Sequence, residues 1–119
     1  MDDERPGPEV TQAIRQAIGG APVAVAWILE NADTDADPLV VAMAALLERD
    51  LTRLARADGL AVTSRERQVV AIARAHLAGD AELVDALARD HLVSYPDSLI
   101  VAWIASDPGR SPSLRSPYP

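Results

Sequence analysis

Apolar and polar residues follow a helical period most clearly between Thr63 and Ala105. Val69, Ile72, Ala73, His76 and Leu77 fall at i, i+3, i+4, i+7 and i+8, the spacing that puts side chains on one face of a helix. Thr63 followed by Glu66 fits a capping box: the hydroxyl accepts from an orphan amide of the first turn, and the Glu reaches back to the cap residue. Gly79 stands where a left-handed closing residue is needed, which glycine adopts without a Cβ penalty. Asp80 then caps a second helix. Its apolar stripe is Val84, Leu87, Ala88, His91, Leu92 and Tyr95, with Glu82, Asp85 and Arg89 facing away. Asp85 and Arg89 form an i,i+4 pair in the favourable orientation, adding about 0.3 kcal/mol. Pro96 disfavours helical backbone at Tyr95, so the helix stops there. Two antiparallel helices joined by so short a turn form an αα-hairpin. Asp97-Ser98 caps a short further helix over Leu99–Ala105, which Asp107-Pro108-Gly109 breaks.

The N-terminal half yields to the same treatment. Pro8 suits the first turn of a helix with the stripe Val10, Ala13, Ile14, Ala17 and Ile18, ended by Gly19-Gly20. Val23 to Leu29 is apolar throughout and rich in β-branched residues, a pattern that also fits a buried strand. Val25-Ala26-Trp27-Ile28 recurs as Val101-Ala102-Trp103-Ile104, and pairing of two such strands would give an α+β alternative. Two strands alone make a marginal sheet and everything around them reads helical, so both runs are taken as short buried helices. From Pro38 to Ala57 one long helix of about 30 Å is expected. Its stripe is Val40, Met43, Ala44, Leu47, Leu51 and Leu54; Glu48, Arg49, Thr52 and Arg56 lie opposite, and Gly59 closes it. Asp33, Asp35 and Asp37 are spaced like the first ligands of a calcium loop, but Pro38 and Ala44 stand where that loop needs Gly and Glu. An acidic loop ending in an Asp37 cap explains the same residues.

Gly79-Asp80 followed by Pro96 has the spacing of a tetratricopeptide repeat, with Leu92 at its usual apolar position. Upstream stand Asp37-Pro38, an alanine-rich helix and Ser64-Arg65-Glu66-Arg67, then Ala78-Gly79-Asp80 and His91-Leu92. In that order the segment from Asp37 to Ala105 resembles one unit of the tetratricopeptide repeat protein 38 family and its bacterial relatives. The resemblance implies stacked helical hairpins that bind proteins. Ile72, Val84 and His91 depart from the small residues that let repeat helices pack closely, and one unit is evident where a solenoid needs about three. The unit is then completed by added helices or by association.

Composition narrows the function classes. The 119 residues fit one domain, here an all-α one of five or six antiparallel helices over residues 8–107, with disordered ends at 1–7 and 108–119. Phe is absent and alanine is the commonest residue, which suits closely packed helices and disfavours strands. Without cysteine there is no disulfide, thiolate metal site or thiol redox chemistry. A net charge of −7 disfavours nucleic acid and anionic membrane surfaces, which reward clustered Lys and Arg. No apolar run approaches the roughly 20 residues of a membrane span. A cytoplasmic protein is expected, and the Arg-for-Lys, Ala and Asp bias looks like a high-GC bacterial coding sequence. In the Ser/Pro/Arg tail, Ser111 and Ser116 precede prolines; a plain flexible end accounts for them.

Little remains for chemistry. His76 and His91 lie on stripes that pack together, yet a metal site needs three or four convergent ligands, and half-buried hydrogen-bonded rings explain them. No nucleophile elbow or phosphate-binding glycine loop occurs, so no enzyme, cofactor or metal is expected. Trp27 and Trp103 are the most informative apolar residues: core anchors if buried, contact residues if exposed on a concave surface. The leading expectation is a protein-interaction module of unknown partner, with Trp27, Leu99, Ile100 and Trp103 as candidate contact residues. The alternative is a small-molecule sensor with a pocket between helices near Trp27 and Trp103. The run Leu99–Ile104 suggests a homodimer through the last helix, unless the helix Pro8–Ile18 folds back to cover it.

Overall fold

The structure, a computed structural model, describes residues 8–34 and 37–106. Both termini expected to be disordered, with Ser111 and Ser116, lie outside the described residues, as does Asp35. Among the described residues the chain forms seven helices and no strand: α1 Pro8–Ile18, α2 Pro22–Asn31, α3 Pro38–Glu48, α4 Leu51–Leu60, α5 Ser64–Leu77, α6 Ala81–Ser94 and α7 Leu99–Ala105. The all-α expectation holds, and both apolar runs that fit a strand by pattern are helical.

Several boundaries form as their residues dictate. The Thr63 hydroxyl accepts from Glu66 N–H at 3.1 Å, and the Glu66 carboxylate accepts from Thr63 N–H at 3.1 Å, completing the capping box. Asp37 caps α3 through Leu39 N–H at 2.9 Å, and Asp80 caps α6 through Leu83 N–H at 3.1 Å. Gly20 and Gly79 have φ of 89° and 79°, the left-handed values that close α1 and α5. A Cβ on Gly79 would meet nothing within 4 Å, so any cost of a side chain there comes from the backbone alone.

One expectation fails. The single helix from Pro38 to Ala57 is two helices, which is why the count is seven. The chain breaks at Arg49, left-handed at φ 53° and ψ 50°, and restarts at Asp50, whose carboxylate accepts from Thr52 N–H at 2.9 Å. Asp is a strong N-cap, and here it outweighs the helical period running through it. Gly59 does not close the helix; it lies within α4, which ends when Ala61 turns extended.

The break matters because α3 is the middle of the fold. Every residue from Pro38 to Leu46 is buried, on all sides of the helix, against α1, α2, α4 and α5. The expected one-sided stripe was too narrow. The α5–α6 hairpin packs beside this centre, α5 touching α3, α4 and α7. Arginines of α4 pin the far side: Arg56 donates to the Ala32 carbonyl at the end of α2, and Arg53 pairs with Asp33 at 3.2 Å and Glu48 at 3.0 Å. Helix α1 also packs against α7, whose Ile100, Val101 and Ile104 are buried. The contact of Pro8–Ile18 with the last helix that the monomeric alternative expected is present, while Leu99 and Trp103 stay half-buried and Ala102 exposed. None of the helices among the described residues is long and apolar enough to cross a membrane.

Three substitutions test this description by urea unfolding. Met43→Ala, at a fully buried site in α3, should cost about 3 kcal/mol through lost transfer energy and a cavity. Gly79→Val should cost on the order of 1 kcal/mol or more, for backbone strain only. Arg49→Gly should cost nothing or stabilise slightly, because glycine fits the left-handed site that Arg49 strains to occupy. Equal losses for the last two would contradict the backbone assignments.

Candidate functional site

Two concavities and one buried polar network stand out. The larger concavity is an open groove of about 550 Å³ between α1 and α2. Its α1 wall is Glu9, Gln12, Ala13 and Gln16, on one helical face, and its α2 wall is Val23, Ala24 and Trp27. Ile14 and Ala17 on the inner side of α1 are buried in the core, which fixes this face outward. Trp27 is half-buried and Val23 is 83% exposed.

The second is a cleft of about 210 Å³ beside the α3–α4 break, lined by Leu46, Leu47, Arg49, His76, Trp103 and Ile104. It brings together the end of α3, the last turn of α5 and Trp103 and Ile104 of α7. Of these two concavities, Trp27 lines the groove and Trp103 the cleft.

The polar network joins α5, α6 and the start of α7. His91 is 1% exposed. Its Nδ1 lies 2.7 Å from Gln68 Oε1 and its Nε2 lies 3.0 Å from Ser98 Oγ. With Nδ1–H donating to Gln68 and the Ser98 hydroxyl donating to Nε2, a neutral ring is satisfied at both nitrogens. Ser98 occupies the N-cap of α7 but makes no capping bond; its hydroxyl serves His91 instead. Arg65, 4% exposed, pairs with Asp97 at 3.1 Å and lies 5.1 Å from the centre of the Tyr95 ring, which in turn packs 4.9 Å from His91. Burial, and then the positive charge of Arg65, push the His91 pKa down to about 4, against weaker upward pulls from Asp90 and Asp97.

The sequence-derived candidates thus separate. Trp27 lines the groove and Trp103 the cleft, both half-buried. Leu99 is half-buried, and Ile100, at 3% exposure, is a core residue, so it offers no contact surface. His76 lines the cleft while His91 belongs to the buried network; they do not form one site. Asp37 caps α3 and Asp33 pairs with Arg53, and among the described residues no group of three or more His, Asp or Glu is placed to hold a metal ion.

From sequence, Arg65 is named only within Ser64-Arg65-Glu66-Arg67 and has no place in the expected core. The signal was present: Arg65 lies four residues before Val69 and seven before Ile72, on the apolar stripe itself. Gln12 and Gln16 carried no comparable signal.

No protein-family model, curated protein or solved structure matches this chain.

The His91 environment fixes a pH dependence. Well above pH 6.5 the ring is neutral in both folded and unfolded chains and contributes no slope. As pH falls from 6.5 towards 4 the unfolded chain takes up the proton and the folded one does not, so stability falls, by on the order of 3 kcal/mol across that range. Urea unfolding at pH 7 and pH 5 should show a larger loss for the native chain than for His91→Gln, which removes the titration. Equal losses would mean that His91 protonates freely in the fold.

Proposed function

We propose that this chain is a non-catalytic protein-interaction module that receives its partner in the groove between α1 and α2. The observation that carries this reading is Val23, 83% exposed at the lip of a groove walled by Trp27. A lone exposed valine is ordinary, but this one borders a half-buried tryptophan, a residue type enriched at contact hot spots, in a concavity. Two adjacent helices leave a furrow between their ridges, and a third helix laid along it buries both walls. Glu9, Gln12 and Gln16 follow one another along the α1 side and supply hydrogen-bonding groups that set register. The partner is therefore read as a protein segment presenting an amphipathic helix.

The resemblance to a tetratricopeptide unit supports the same reading, because such hairpins bury their outer faces against further helices. A second copy of the chain is one such partner. With α1 packed on α7 and Ile100 in the core, the α1–α2 groove is a better dimer contact than the last helix.

Panning a displayed library of helical peptides against the full chain tests the proposal. Selected peptides should bind at least about tenfold more weakly to Val23→Glu, whose melting temperature should stay near that of the native chain because the side chain is exposed. Peptides that bind Val23→Glu and the native chain alike, or a library that yields no binder, would refute it.

A further inference from the structure

The cleft beside the α3–α4 break differs in kind from the groove. Its ionisable lining residues are Arg49 and His76, with no carboxylate among them, in a chain of net charge −7. The acids on either side of Arg49 are turned elsewhere: Glu48 and Asp50 both face Arg53, at 3.0 and 3.8 Å, and Asp50 also caps α4. Arg49 itself holds a left-handed backbone at φ 53°, a conformation that glycine or asparagine adopts at lower cost. A strained, long cationic residue thus stands where a small one would close the helix better.

The remaining lining is apolar. Leu46 and Ile104 are buried, and Leu47 and Trp103 are half-buried around the same space. At about 210 Å³ the cleft falls below the roughly 300–1,000 Å³ of sites for drug-sized ligands. It exceeds the cavity of about 150 Å³ that admits benzene in an engineered core. One ring or short branched chain fits, with a single polar group at the mouth.

We propose that this cleft binds a small organic carboxylate. The apolar body rests on Leu46, Leu47, Ile104 and the Trp103 ring, and the carboxylate pairs with the Arg49 guanidinium. Arginine suits that role because its planar fork meets both carboxylate oxygens in charge-assisted hydrogen bonds. His76 lines the same cleft. The site shares no lining residue with the α1–α2 groove, so it stands whether or not that groove binds a protein.

Benzoate and its neutral isostere benzamide, titrated into the isotopically labelled full chain, test the proposal by nuclear magnetic resonance. The chain has two indole N–H signals, and Trp27→Phe assigns them. Benzoate at millimolar concentration should shift the Trp103 signal saturably and leave that of Trp27 in place. Benzamide should bind about tenfold more weakly, and Arg49→Gly should lose benzoate affinity by a similar factor while its melting temperature holds or rises. Arg49→Lys should fall between the native chain and Arg49→Gly, since it keeps the charge without the fork. The proposal is overturned by equal binding of the two probes, by full affinity in Arg49→Gly, by shifts centred on Trp27, or by no shift at all.

Discussion

Helix α3 is enclosed on every side, and the course of the chain around it follows from that enclosure. Val40 to Ala45 have no exposed surface, and four other helices approach them. Ala42, Ala44 and Ala45 make this possible, since small side chains allow neighbouring helix axes to come within the usual 8–10 Å. A helix enclosed in this way must be apolar around its whole circumference, and it has to end where the sequence turns polar. That point is Glu48. The left-handed turn at Arg49 and the cap at Asp50 then send α4 back along α3, which puts Arg53 and Arg56 beside the end of α2. The strain at Arg49 thus follows from enclosing α3 within a short chain.

The second half is held by a different kind of contact. Arg65 is a buried cation, which is tolerated only when paired and hydrogen-bonded. Asp97 pairs with its guanidinium and the Tyr95 ring packs on it, and both lie at the α6–α7 turn, so the pairing ties the start of α5 to the start of α7. The same arrangement dictates the state of His91. A protonated ring there would set a second cation close to Arg65 in a region with little water, and the Ser98 hydroxyl would lose the lone pair to which it donates. Burial first, and the Arg65 charge second, keep His91 neutral.

Much of this was legible in the sequence wherever a single residue type meets a single local need. The cap residues Asp37, Thr63 and Asp80, the turn glycines Gly20 and Gly79, and the stop before Pro96 all depend on near neighbours and need no tertiary context. What escaped were features set by distant packing. Periodicity joined Val40 to Leu54 in one stripe because it cannot sense that a helix is surrounded, and so Asp50 was read as a residue within a helix rather than a cap. Arg65 was not picked out as a buried residue because local pattern says nothing of Asp97, a partner 32 positions away. Neither concavity was marked by a motif; the two tryptophans hinted at both, but only the packing of α1 and α7 placed them apart.

The repeated tetrapeptide shows why they could be hints at all. In Val25-Ala26-Trp27-Ile28 and Val101-Ala102-Trp103-Ile104 the isoleucines are fully buried, the alanines exposed and the tryptophans half-buried. Only the valines differ, Val101 being buried and Val25 half-buried. Adjacent residues on a helix are separated by about 100°. An isoleucine directed at the core therefore places the preceding tryptophan at the edge of the buried face and the alanine before it in the open. An indole at that edge covers core atoms with one side of its ring and leaves the other available. Whether the uncovered side meets solvent or a concavity is decided by the neighbouring helix. Beside Trp27 that neighbour is α1, whose outer face leaves a long open furrow; beside Trp103 it is the broken end of α3, which leaves a small cleft with Arg49 at its margin. The same four residues thus present the same aromatic edge twice, and the surrounding helices give each edge a different use.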